Sequence, residues 1–116
     1  MTHIGRSKRV GDLIQQELMR LLQREMHDPR IGFATVTEVR MSSDLRSGRI
    51  FVGVLGDEKA RKESIAALQH AAGFLRTEIA HSLRLRYAPE LHFVLDETAE
   101  KAIRIEQLLH PHDREE

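Results

Sequence analysis

Arginine is the residue type through which this chain could do the most chemistry. Arg76 closes the segment His70-Ala71-Ala72-Gly73-Phe74-Leu75-Arg76, and Arg84 and Arg86 follow it. A glycine between two helically patterned stretches predicts a bend. A helix that starts after Gly73 would turn free amide hydrogens outward, where they attract phosphate. A guanidinium in its first turn would add a planar fork that donates two hydrogen bonds at once. Arg6, Lys8 and Arg9 near the start, with Arg46 and Arg49 around a predicted hairpin, supply further cations. The competing reading is structural: Gly73 permits close helix packing and the arginines solvate a helix face. Aromatic residues make up only 4% of the chain. Any RNA contact is therefore expected to rest on backbone and shape rather than on stacked bases.

Catalytic readings find less support. Paired carboxylates would have to come from Asp28, Asp44, Asp96 or Glu97, and each sits at a predicted element boundary, where acidic caps and turns are common. Gly53 and Gly56 have neither the lysine nor the spacing of a phosphate loop. There is no cysteine, which removes thiolate metal sites, disulfides and cysteine nucleophiles. Seven histidines are present, but His110 and His112 flank a proline near the end of the chain, and His70 and His81 lie eleven residues apart. The expectation is no enzyme activity, no metal and no cofactor.

These residues need elements to position them, and 116 residues suit one domain. Val10, Leu13, Ile14, Leu18, Leu21 and Leu22 recur at helical spacing, predicting a helix that starts after Gly5 or Ser7 and ends before Pro29. From Phe33 to Met41 the period changes to two, with Thr35, Thr37 and Val39 on one face and Ala34, Val36, Glu38 and Arg40 on the other. After a polar turn, Arg49 to Leu55 is apolar on both faces and is expected to be a central strand paired antiparallel with the first. Gly56-Asp57-Glu58 opens a helix with Ile65, Leu68, Gln69 and Ala72 on its stripe. Past Gly73, Phe74, Leu75, Ile79, Leu83 and Leu85 form a second stripe. Leu91 to Leu95 predicts a third strand, and Asp96 or Thr98 a cap for a last helix carrying Ala99, Ala102, Ile103, Ile105 and Leu109. The sum is a small α+β domain, three strands covered by helices on one face. It spans residues 1–109, with 110–116 as a charged tail.

Charge is distributed unevenly. Residues 1–86 hold 15 basic against 10 acidic side chains, and residues 87–116 hold 3 against 8, so a neutral chain is polarised. The longest apolar run, Ile50 to Leu55, is too short to span a bilayer. No secretory pattern follows the basic residues of Met1 to Arg9, and a cytoplasmic location is expected.

The order helix, strand, strand, helix, bend, helix, strand resembles a type II KH domain, in which two helices meet at a Gly-x-x-Gly loop. Here Ala71-Ala72-Gly73 stands in its place. Such an Ala-x-Gly kink resembles the bacterial ribosome-binding factor A family. Gly5-Arg6 with Arg9-Val10, Asp28-Pro29-Arg30 and Ser43-Asp44-Leu45 agree with that family. So do Ala72-Gly73-Phe74-Leu75-Arg76 and Leu83-Arg84-Leu85-Arg86, followed by Pro89-Glu90-Leu91, Phe93 and Asp96.

The resemblance implies a noncatalytic assembly factor that binds the free small (30S) ribosomal subunit near the neck and the 5′-terminal region of 16S rRNA. It further implies a role in late rRNA processing and cold adaptation, action as a monomer, and assembly GTPases as further partners. The kink residues Ala71, Ala72 and Gly73 match the family motif. The assignment of Arg6, Lys8, Arg9, Arg46, Arg49, Arg76, Arg84 and Arg86 as RNA contacts is an electrostatic inference. Reversal of Arg76, Arg84 and Arg86 to Glu is expected to abolish binding and leave the fold intact. The alternative is a KH-like protein-interaction module without direct RNA binding.

Overall fold

The computed structural model describes residues 2–24, 31, 34–98 and 108. The helix stripe near the start becomes α1, Thr2–Arg24. It begins earlier than the spacing suggested, because nothing between Thr2 and Ser7 blocks helical hydrogen bonding and an interior glycine costs only about 1 kcal/mol. Strands β1 (Ala34–Met41) and β2 (Ser47–Val54) follow, then α2 (Glu58–His70), α3 (Ala72–Ser82) and β3 (Glu90–Leu95). That is the element order expected of the α+β reading. The Asp28-Pro29 stop, Phe33, residues 99–107 and 109 of the expected last helix, and the tail 110–116 lie outside the described residues.

Strand β2 is central. β1 pairs with it antiparallel and β3 pairs with it parallel, giving a mixed sheet in the order β1-β2-β3. Gly48, Ile50 and Val52 of β2 point into the core beside Leu91 and Phe93 of β3. On β1 the simple alternation fails. The register slips between Val36 and Glu38, so Thr37 bulges and both Val36 and Val39 face inward. α1 packs on β1 and α3, while α2 and α3 cover β3. Ile14, Leu18 and Leu21 thereby meet Leu68, Leu75 and Ile79 above one face of the sheet, all essentially inaccessible to solvent.

Two details fix how closely the layers approach. Gly11 lies where a Cβ would stand 2.7 Å from the carbonyl oxygen of Val39, so α1 can rest on β1 only with glycine there. Glutamines close both sheet edges. Gln69 Nε2 donates to Leu91 O and its Oε1 accepts from Phe93 N–H, each at 3.0 Å. On the other edge Gln15 Nε2 donates to Val36 O at 3.0 Å, and Met19 Sδ accepts the Val36 N–H. The sequence placed Gln69 on an apolar stripe; its amide instead supplies the polar partners that an edge strand lacks.

Candidate nucleic-acid interface

The predicted bend exists, two residues earlier than Gly73. Ala71 separates α2 from α3 at φ −84°, ψ 1°, with its N–H shared between Ala67 O and Leu68 O at 3.0 and 3.1 Å. α3 starts at Ala72 with no side-chain cap, which leaves Gly73 inside its first turn. A Cβ on Gly73 would meet nothing within 4 Å. Close helix packing therefore does not explain this glycine. What it does is leave the first turn of α3 bare, with Phe74 beside it 46% exposed rather than on the core stripe. A shallow depression of about 200 Å³ lies between this turn and β3, lined by Gln69, Ala72, Gly73, Arg76, Glu90, Leu91 and His92.

Arg76 reaches out of α3 across this depression to the segment before β3. Its Nε donates to Pro89 O at 3.0 Å and its Nη2 to Ala88 O at 3.1 Å. Two of its donors thus hold a loop in place, and reversing its charge would leave those carbonyls unpaired. The expectation that Arg76→Glu spares the fold is corrected on that ground.

Helix α3 ends at Ser82 with a Schellman arrangement: Leu85 N–H donates to Ala80 O at 2.9 Å and Arg84 N–H to His81 O at 3.3 Å. Leu85 therefore belongs to the cap, where it packs on the core, and not to the helical stripe. The left-handed position that this motif requires is normally glycine; here it is Arg84, at φ 53°. Its side chain is exposed.

The hairpin meets this cap region. Ser42–Ser47 turn through a Ser42 Oγ–Asp44 Oδ1 hydrogen bond of 2.6 Å, an Arg46 N–H to Asp44 Oδ1 bond of 3.1 Å, and Leu45 at φ 61°. Those bonds, the Ser42 hydroxyl first, hold the Asp44 carboxyl below its usual pKa. Glu90 N–H donates to Arg46 O at 2.8 Å, joining hairpin to β3. Above that junction the Arg46 guanidinium lies 4.5 Å from the Tyr87 ring centre, and that of Arg86 lies 5.6 Å from it. Tyr87 is half exposed.

Contacts thus link these residues into a ridge: Ala71 to Gly73 open α3, Arg76 of that helix holds Ala88 and Pro89, Tyr87 beside them carries Arg46 and Arg86, and Arg84 stands at the helix cap. Lys8 sits on α1 beside β1, bordering a second depression with Glu38 to Met41, and pairs with Asp12 at 3.5 Å. Arg6 and Arg9 are exposed on the first turns of α1, and among the described residues no hydrogen bond or ion pair ties them to the ridge. Arg49 is elsewhere: it projects from the sheet face opposite the helices α1 to α3, in register with Arg40 and His92, where Arg40 lies 5.2 Å from the Phe51 ring centre. Tyr87 escaped the sequence reading, which judged the chain too poor in aromatics for stacking. The one available signal was an aromatic residue directly after Arg86. Among the described residues no group of three or more His, Asp or Glu side chains is placed to hold a metal ion, and no helix is long and apolar enough to cross a membrane.

Comparison with known proteins converges on one family. The pattern of the ribosome-binding factor A family matches residues 6–109. A ribosome-binding factor A of Heliobacterium modesticaldum is 51% identical over 104 residues, 90% of this chain and 86% of its own. That of Desulfitobacterium hafniense is 45% identical over 111 residues, 96% and 89% of the two chains. Among solved structures, a Thermotoga maritima protein described as a ribosome-binding factor A superposes with a TM-score of 0.70 at 41% identity, covering 77% of this chain and 85% of that one. Thermus thermophilus ribosome-binding factor A, as coordinates fitted into an electron-microscopy map of its 30S complex, is similar with a TM-score of 0.56 at 29% identity, covering 72% and 92%.

Proposed function

The chain belongs to the ribosome-binding factor A family, and from that premise we propose that it binds the free 30S ribosomal subunit through 16S rRNA, as a noncatalytic assembly factor in the cytoplasm. The observation that carries this reading is the ridge from the bare first turn of α3 to the Arg46–Tyr87–Arg86 stack. It presents guanidinium groups beside a helix turn bare at Gly73 to phosphate, while Gln69 already occupies Leu91 O and Phe93 N–H of β3, main-chain groups that could read base edges. Phosphate contacts position a protein without fixing nucleotide identity, which suits a factor that must bind and then leave.

The finer proposal keeps the neck and 5′-terminal region of 16S rRNA as the contact, late processing of that RNA as the step assisted, and cold adaptation as the setting. It treats the protein as a monomer working alongside assembly GTPases, with residues 1–109 as the binding domain and 110–116 as a tail outside it. Its contact residues are Ala71, Ala72 and Gly73 with Arg46, Arg76, Arg84 and Arg86, and Arg6, Lys8, Arg9 and Arg49 as an outer set. Sedimentation of the protein with separated ribosomal subunits at several salt concentrations tests this. With about five phosphates neutralised, log affinity for 30S falls against log salt with a slope of about −3 to −4. A partner that still binds after ribonuclease treatment, indifferent to salt, would instead support the protein-interaction alternative.

A further inference from the structure

We propose that Tyr87 is a positioning residue which holds Arg46 and Arg86 as a preformed two-guanidinium clamp for one RNA phosphodiester; the inference rests on the RNA-binding reading above. Both guanidinium carbons lie within 6 Å of the same ring, at 4.5 and 5.6 Å from its centre. Stacking uses the flat face of a guanidinium and leaves its in-plane N–H donors directed outward. Among the described residues neither arginine takes part in an ion pair. The Asp44 carboxyl accepts from the Ser42 hydroxyl and the Arg46 N–H and also feels the Arg46 charge, and Glu90 pairs with His92 at 3.4 Å.

Two cations held at one ring repel each other, and an anion between them relieves that repulsion. An arginine already fixed by stacking also loses less side-chain freedom when it grips its ligand. The backbone agrees. The two non-glycine residues at positive φ among those described, Leu45 and Arg84, lie one residue before Arg46 and two before Arg86. Strained backbone persists where the surrounding structure demands a particular geometry, and here both instances set the approach of the clamp.

The test measures binding to 30S subunits across a salt series, and to two single strands of equal length, polyuridylate and an abasic phosphodiester. Tyr87→Leu should weaken all three roughly tenfold with an unchanged salt slope, because the charges remain but are no longer held. Tyr87→Phe should bind like the parent, since the ring and not the hydroxyl does the holding. Arg46→Ala and Arg86→Ala should each flatten the slope by about 1, and adding Tyr87→Leu to that pair should change nothing more. Lysine at both arginine positions should keep the slope and lose affinity, giving a second reading without disturbing Tyr87.

If Tyr87→Leu binds like the parent, the clamp is refuted while 30S binding stands. A loss confined to polyuridylate would mean that Tyr87 stacks on a base itself, and a loss persisting in the Arg46→Ala, Arg86→Ala background would mean that it acts without the arginines; either result overturns the proposal. Should the parent protein show no salt-dependent 30S binding at all, the underlying RNA reading is what fails.

Discussion

Strand β2 joins two ends of the molecule that use their charged groups in opposite ways. At its Ser47 end, the Arg46 and Arg86 guanidinium carbons lie 4.5 and 5.6 Å from the Tyr87 ring centre, and among the described residues neither takes part in an ion pair. At its Val54 end the carboxylates are occupied. Asp57 caps α2 by accepting the Ala60 N–H at 2.8 Å. Asp96, whose own N–H donates to Val52 O at 2.7 Å, accepts the Thr37 hydroxyl and, at 2.9 Å, the Thr98 N–H. A charge whose bonds are all made is part of the scaffold; a charge held only by its face is ready for a ligand. The two ends of β2 thus divide into one prepared to bind and one that closes the fold.

The largest expected effect tests that division directly. Joint reversal of Arg46 and Arg86 to Glu should cut 30S affinity by about a hundredfold or more at fixed salt, since attraction becomes repulsion. Asp57→Asn with Asp96→Asn should change it by less than about twofold. Equal losses from the two pairs, measured by sedimentation, would dissolve the distinction.

Stability should respond with opposite signs at the two ends. Arg84→Gly relieves a left-handed residue and should raise unfolding free energy by about 1 kcal/mol, whereas Asp57→Ala removes a helix cap and should lower it by about 1 kcal/mol. Urea titrations of both variants check the pair. A destabilised Arg84→Gly protein would show that the Arg84 side chain supports the fold.

The smallest effect is pH-dependent. The Thr37 hydroxyl and then the Thr98 amide hold the Asp96 carboxyl below its ordinary pKa. A depressed folded-state pKa adds stability that is complete above the unfolded value, about 3.9, and is lost as pH falls through the lower folded value. Asp96→Asn should therefore be slightly less stable at neutral pH and lose less on acidification, so the two unfolding curves converge below about pH 4. An unchanged gap between them in acid would remove Asp96 from the account.

Element order, the central place of β2 and the acidic opening of α2 were legible because each follows from local pattern: apolar spacing, a run apolar on both faces, acidic residues after glycine. The Thr37 bulge was not, since one extra residue changes which side chains face inward without changing composition. Nor was the Arg84 cap, because the usual glycine signal is missing and the cost is borne by surrounding bonds. Gly73 was seen as a break, yet whether it packs or stays bare depends on neighbours that sequence does not name. Tyr87 depended on a tertiary meeting: Arg46 and Tyr87 lie 41 positions apart, and the parallel pairing of β2 with β3, begun by the Glu90 N–H to Arg46 O bond, brings their loops together.

The glutamines at the two sheet margins have a consequence for the life of the protein in a crowded cell. An open strand is a template onto which any extended chain can zip, and repeated zipping builds fibrils. With Gln69 on the Leu91–Phe93 side and Gln15 and Met19 on the Val36 side, those main-chain groups are closed to recruitment. The sheet is thereby guarded against polymerising with its own copies, at the cost of two amides and a thioether.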